Sequence, residues 1–404
     1  MLVVKGNRKG MQNKLLKVLG VIIVIGVFLF MAYLFFTPAN NMNDIYKELQ
    51  RAVINNDIDK VDSILSKNSI NLNDEDLFID LPLFVAVDRE YEQMIDLLIE
   101  KGADINKQIV NSYSNVLELA ILNSPEMIGK LIDKGYNINT VNSRGDNALV
   151  FALKFNNDLN IIKTLIERGI DKHFTDTYGK NYLHYAAESG DIDVYEYLLK
   201  IIPEEEHKKT IDDESVIHFA SSSGNIEFFK YILNRGFNVN EKDKYGRTVL
   251  HFCKSEAICN FLLEKFSFDV NEKDVQGRTP VFSVFQIYDK EERLKCLSLL
   301  IKKGADIKVQ ATDGTSLLHE AAFSGDYDCA KLLIDNGIDV NVRDSQNSTA
   351  LHVVASSNNI EEHPKVAKLL LDSGADKTIK NNNGQIPLDI AASVNNKKII
   401  DLLK

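Results

Sequence analysis

The chain has no tryptophan, only seven prolines and only four cysteines in 404 residues. Cys253, Cys259, Cys296 and Cys329 are too few and too irregularly spaced for a disulfide framework or a zinc cluster, so they read as buried small hydrophobes. With 45% hydrophobic and 26% charged residues and so little proline, long disordered stretches are excluded. No glycine loop ends in Gly-Lys-Ser/Thr, and there is no Gly-x-Ser-x-Gly elbow and no Cys-x-x-Cys pair. One fragment suggests metal chemistry: His319-Glu320 begins a zinc-protease signature. Its second histidine is missing, because position 323 is Phe. The acid groups Glu361-Glu362 and Asp212-Asp213-Glu214 fall in expected loops and read as solvated charge. No catalytic, metal or cofactor site is therefore expected, and the chain does not read as an enzyme.

Acidic residues are also missing from one region. Residues 1–43 carry Lys5, Arg8, Lys9, Lys14 and Lys17 and no acid, so a net charge of -11 overall becomes -16 for residues 44–404. An acidic body repels phosphate backbones, which argues against nucleic acid as a partner. Residues 18–36 read VLGVIIVIGVFLFMAYLFF, without a charge. As a helix this run is about 28 Å long, enough to span a bilayer. It is longer than the apolar core of a cleaved signal peptide and lacks a clear cleavage site after it. We expect a basic tail (1–17), a transmembrane signal anchor (18–36) and a linker (37–43). By the excess of bases before the span, the N-terminus stays cytoplasmic and the body lies on the non-cytoplasmic side, periplasmic in a bacterium.

The body is repetitive. A core of the form x-x-Leu-His-x-Ala appears as NYLHYAA, SVIHFAS, TVLHFCK, SLLHEAA and TALHVVA, with degenerate copies such as NVLELAI and TPVFSVF. Its small-residue slot falls at Ala86, Ala120, Ala152, Ala186, Ala220, Cys253, Val284, Ala321, Val354 and Ala391, a period near 33. A second amphipathic segment and a glycine stop follow each core, as in CAKLLIDNGIDVN, and then a turn such as KYGRT. This pattern resembles the ankyrin repeat, Thr-Pro-Leu-His-x-Ala at a period of 33. The resemblance covers ten copies from about residue 78, and residues 44–77 fit an eleventh, capping unit with Ala52 in the slot. It implies an all-α solenoid of helix-turn-helix units with β-turn loops over residues 44–404. We number the repeats one to eleven from Ala52. The intervals of 31 and 37 around repeats seven and eight predict a shortened helix pair and then a longer loop.

The resemblance also implies roles. His184, His218, His251, His319 and His352 would bond backbone groups of the neighbouring turn and staple repeats together. Equivalent histidines stand about 10 Å apart, too far to share a zinc. Partners in the resembled family contact the turn tips and the groove beside the first helices. Those slots carry Phe151, Tyr185, Phe219 and Phe252 in repeats four to seven and Glu320 in repeat nine, with Lys154, Glu188, Tyr178, Tyr245 and Arg247 beside them. Aromatics and arginine on an exposed groove are the material of interface hot spots. The expected function is a membrane-tethered scaffold for a protein partner, with no cofactor. The alternatives are a secreted or host-directed effector freed by cleavage, or an accessory or inhibitory subunit of an enzyme.

Overall fold

Capping side chains start most of the helices. In repeat five Asn181 accepts from the amides of Leu183 and His184 to open Tyr182–Ser189, and Asp191 does the same for Ile192–Ile201. Asp57, Asp158, Asn225, Asp289, Asp326 and Asn396 open the second helices of other repeats in this way. Each first helix buries a face centred on the small slot: Ala86, Ala120, Ala152, Ala186, Ala220, Ala321 and Ala391 have no exposed surface. Bulkier side chains there would hold the neighbouring repeat away.

The computed structural model describes residues 41–75, 81–109, 115–357 and 361–404. These residues form eleven helix pairs, from Asn41–Ile54 to Lys397–Leu403. There is no strand among them, only isolated bridges between Lys242 and Thr248 and between Gln310 and Ser316. The first helix begins at Asn41, inside the segment read as linker. The apolar run 18–36 lies outside the described residues, and within them no helix is long and apolar enough to cross a membrane. The chain packs as two bodies, one ending at Ser143 with repeats one to three, the other beginning at Arg144 with repeats four to eleven.

Repeats seven and eight depart from the expectation. Their first helices are 3-10 turns, Val249–Phe252 and Pro280–Gln286. The extra length of repeat eight lies mainly in its second helix, Lys290–Lys302, of 13 residues against 9 in repeat nine. The longer loop is thus corrected to a longer helix. Arg293, buried on that helix, explains how it is accommodated: its guanidinium donates to the Ile287 carbonyl at 3.0 and 2.6 Å and to Asp326 of repeat nine at 2.5 Å. The reading of all four cysteines as inert hydrophobes also needs correction. Cys253, in the small slot of repeat seven, forms a disulfide with Cys259 on Glu256–Lys265, with Cα atoms 5.9 Å apart. Only Cys296 and Cys329 are free, and burial pushes both thiols up, Cys296 to about 12.

A main-chain ladder joins the turn tips of the second body. Ile211 donates to the Tyr178 carbonyl, Lys244 to Asp212, Val275 to Tyr245, Thr312 to Gln276, Ser345 to Asp313 and Asn382 to Gln346, at 2.8–2.9 Å. Asparagines add side-chain rungs elsewhere: Asn271 accepts from the Asp306 amide and donates to the Gly304 carbonyl, and Asn341 does so with Asp376 and Gly374. The ladder leaves little space at one tip. Gly314 has φ +78°, and a Cβ there would lie 2.6 Å from the Ser345 amide nitrogen. At Gly246 the conformation is similar, but no atom lies within 4 Å of that position. Gly314→Ala is therefore expected to cost about 2 kcal/mol and Gly246→Ala about 1 kcal/mol. Equal shifts of the two denaturation midpoints would contradict the close contact at Gly314.

Candidate interaction groove

The recurrent histidines are the starting point of the site, because they fix the first helices on which it is built. Each accepts at Nδ1 from the amide of its own cap residue: Asn181, Ser215, Thr248, Ser316 or Thr349, at 3.0–3.2 Å. Each then bonds at Nε2 a carbonyl of the following turn. His184 reaches Lys208, His218 Glu241, His251 Glu272, His319 Ser348 and His352 Gln385, at 3.0–3.2 Å. Accepting at Nδ1 and donating at Nε2 requires the neutral ring. Burial, the main cause, lowers all five pKa values, that of His184 to about 4.

Where the histidine is absent, other groups stand in. In repeat three Glu118 accepts from Asn115 at 3.2 Å and from Asn142 of the next turn at 2.9 Å. In repeat four Asn147 donates to the Tyr182 hydroxyl, which donates in turn to the Asp171 carbonyl, both at 2.7 Å. Repeat eight is the exception: Phe282 occupies the histidine position, and its ring can make neither bond. The hydroxyls of Thr248, Ser316 and Thr349 lie 2.7–3.1 Å from their histidine rings. Thr279, the corresponding cap of repeat eight, has a buried hydroxyl with no hydrogen-bond partner among the described residues.

The aromatic slot residues lie beneath the surface expected of them. Phe151, Tyr185 and Phe219 are each 4% exposed, and Phe252 is half-buried. Phe151 packs on Phe155 at 4.8 Å, Phe219 edge-on to His184 at 5.2 Å, and Phe252 edge-on to His218 at 5.1 Å. The Tyr185 hydroxyl donates to Asp176. The rings are apolar, so packing against the next repeat outweighs exposure to water.

Cations lie over these rings. Lys154 Nζ sits 4.9 Å from the Tyr185 centroid, Lys180 Nζ 4.3 Å from Phe219, the Arg247 guanidinium 4.6 Å from Phe252, and that of Arg278 5.8 Å from Phe282. All fall within the range of cation–π attraction. Acids hold most of them: Asp146 holds Lys154 at 2.6 Å, Glu188 holds Lys180 at 3.3 Å, and Glu214 holds Arg247 at 2.9 Å. The Glu320 carboxyl, half-buried, lies 3.5 Å from Arg278, and burial raises its pKa. Tyr245 is half-buried, its hydroxyl donating to Asp212 at 3.1 Å, and Tyr178 is 61% exposed at its tip.

A cavity of about 230 Å³ opens where repeats five to eight meet, lined among others by Phe219, Arg247, Phe252, Lys254, Arg278 and Thr279. Sequence reasoning found the residues around it but missed Lys254, Arg278 and Thr279. Their signal was the loss of histidine at position 282 beside a cap threonine. Outside the groove, His173, Glu204 and Glu205 bring ligand atoms within 4.8 Å of one another, but Glu205 already accepts from Lys208 at 2.7 Å and Asn181 at 3.0 Å through its carboxylate and carbonyl.

The ankyrin-repeat family model matches residues 49–142, 116–206, 201–274, 255–344, 284–381 and 344–404. A putative ankyrin repeat protein of Fowlpox virus is 30% identical over 145 residues, 36% of this chain and 21% of the viral one. The human ankyrin repeat and SOCS box protein 6 is 32% identical over 117 residues, 27% of this chain and 28% of its own length. A putative ankyrin repeat protein of Acanthamoeba polyphaga mimivirus is 29% identical over 100 residues, 24% of this chain and 61% of its own. The chain thus spans less than two thirds of each of these relatives. Since the family model covers nearly all of residues 49–404 and the helix pairs follow its period, the chain belongs to the ankyrin-repeat proteins.

Proposed function

We propose that this ankyrin array is a non-catalytic protein-binding scaffold, tethered by residues 18–36 and displayed on the non-cytoplasmic side of a membrane. The observation that carries the binding role is the row of cations over buried rings along repeats four to eight. Rings pinned by packing and cations pinned by rings lose little side-chain entropy when a partner docks, which favours recognition. The anchor rests on the uncharged run 18–36 and on the five bases before it. The Cys253–Cys259 disulfide is in keeping with an oxidising compartment such as the periplasm.

The test has two parts. With a tag after Lys404, cells with a permeabilised outer envelope should lose the tag to added protease while cytoplasmic markers survive, and the protein should stay in the membrane fraction. A mature N-terminus near Asn40 would overturn the tether in favour of a secreted form. A photocrosslinker at Tyr178, exposed beside the groove, should capture a protein partner in cells; no adduct there or at Lys254 would count against the scaffold. Replacing the four slot aromatics is a poor test, because Phe151, Tyr185 and Phe219 are core residues whose loss would cost about 3–5 kcal/mol each.

A further inference from the structure

We infer that His173, Glu204 and Glu205 bind a zinc ion across the junction of repeats four and five. The inference does not depend on the scaffold reading. His173 Nδ1 lies 3.4 Å from Glu205 Oε1 and 3.7 Å from Glu204 Oε1, and the three ligand atoms lie within 4.8 Å of one another. Around a tetrahedral zinc with bonds near 2.0–2.1 Å, neighbouring ligand atoms stand about 3.3–3.4 Å apart. The two histidine–glutamate edges are already close to that length. The ligands come from turns 31 and 32 residues apart, which no local motif records.

The repeat pattern supplies a second observation. Asn106, Asn139, Asn240 and Asn341 share one position, four residues after a glycine stop. There Asn106 donates to the Gly135 carbonyl and accepts from the Asn137 amide, and Asn341 treats Gly374 and Asp376 alike. In repeat four this position is His173, four residues after Gly169. Facing it, repeat five has no glycine stop: Ile202 ends its second helix, and the 3-10 turn Pro203–Glu205 follows. Both halves of an ordinary rung are thus changed at the same junction, the amide to an imidazole and the glycine to a turn bearing two carboxylates.

The buried ligand is held in place. Asn181 donates to the Glu205 carbonyl at 3.0 Å and to its Oε2 at 3.3 Å, which leaves Oε1 beside His173. Hydrogen bonds of this kind orient the carboxylates of metal sites. Oε1 also accepts from Lys208 at 2.7 Å, but that lysine is exposed, and a doubly charged ion displaces a surface ammonium at little cost. His173 and Glu204 are exposed, so the ion enters from solvent and water completes its fourth position. One nitrogen with two carboxylate oxygens suits zinc, whereas magnesium and calcium take oxygen ligands.

The test uses the full chain in detergent, without a histidine tag and stripped of metal by a chelator, titrated calorimetrically with zinc, magnesium or calcium chloride. One zinc should bind per chain, and the other two ions should bind about tenfold more weakly or worse. His173→Asn, which supplies the residue usual at this position, and Glu204→Gln should each weaken zinc binding about tenfold or more. Both positions are exposed, so far-UV circular dichroism should not change. His207→Gln, at an exposed histidine beside Glu206, is the control and should bind zinc as the native chain does. Cobalt(II) in place of zinc should give the strong visible absorption of a tetrahedral site, lost in His173→Asn. Absence of zinc binding, affinity for zinc no greater than for magnesium, or binding unchanged in both His173→Asn and Glu204→Gln overturns the inference. Capture of a partner at Tyr178 is a separate readout, so failure of the zinc site leaves the scaffold standing.

Discussion

Asp326→Ala is expected to destabilise the second body by about 3–5 kcal/mol, among the largest effects of any single substitution in the molecule. Asp326 is 2% exposed and Arg293 8%. One carboxylate oxygen accepts from the Cys329 amide at 3.1 Å, capping Tyr327–Asp335, and the other accepts from Arg293. Alanine removes the cap, worth about 1 kcal/mol, and leaves a buried guanidinium bonded only to the Ile287 carbonyl. The uncompensated charge dominates the loss. Urea denaturation should show it as a lower midpoint, and Arg293→Met combined with Asp326→Ser should recover much of it, because no buried charge then remains. Asp335→Ala serves as the control. Its ion pair with Lys331 is about half exposed on both sides and should contribute less than about 1 kcal/mol. If Asp326→Ala behaved like Asp335→Ala, Arg293 would have to be solvated.

Acidification should unfold the array earlier than its carboxylates alone would require. The five stapling histidines are neutral when folded and have pKa values lowered below the ordinary 6.5, mainly by burial. Between the folded and unfolded pKa the unfolded chain binds more protons, so stability rises with pH in that window and is constant above it. The stabilisation is thus fully present above about pH 6.5 and is lost as pH falls towards the folded value. For His184, whose folded value is about 4, the loss at the bottom of the window is about 3 kcal/mol. The other four histidines act in the same direction. Thermal midpoints measured in steps from about pH 7 to about pH 5 should fall, and the slope should flatten in His184→Gln. A midpoint independent of pH across that range would mean that the imidazoles titrate freely when folded.

The repeat was legible because its cause is periodic. A helix pair that buries its face only against a copy of itself must repeat its small slot, glycine stop and cap, and each is a residue type visible in one dimension. The groove was less legible. Phe151, Tyr185 and Phe219 were found by phase, but phase gives the direction of a side chain and not its depth, and apolar rings sink until cations close over them. Cys253 and Cys259 were misread because a disulfide depends on two Cα atoms coming within reach, which a truncated first helix permits. Thr279 was invisible for a different reason. A missing partner shows only after the same bond has been seen in three other repeats.

The turn-tip ladder has a consequence for how the second body forms. Its six bonds join residues 30 to 36 positions apart, so each closes a chain loop of nearly the same length. Closure entropy grows only as about (3/2)RT ln n, and the cost therefore differs among these bonds by about 0.2 kcal/mol. Chain topology does not select a starting point, and adding repeats adds no longer closure. Nucleation falls to whichever pair of helices is most stable on its own, and order then spreads from it in both directions.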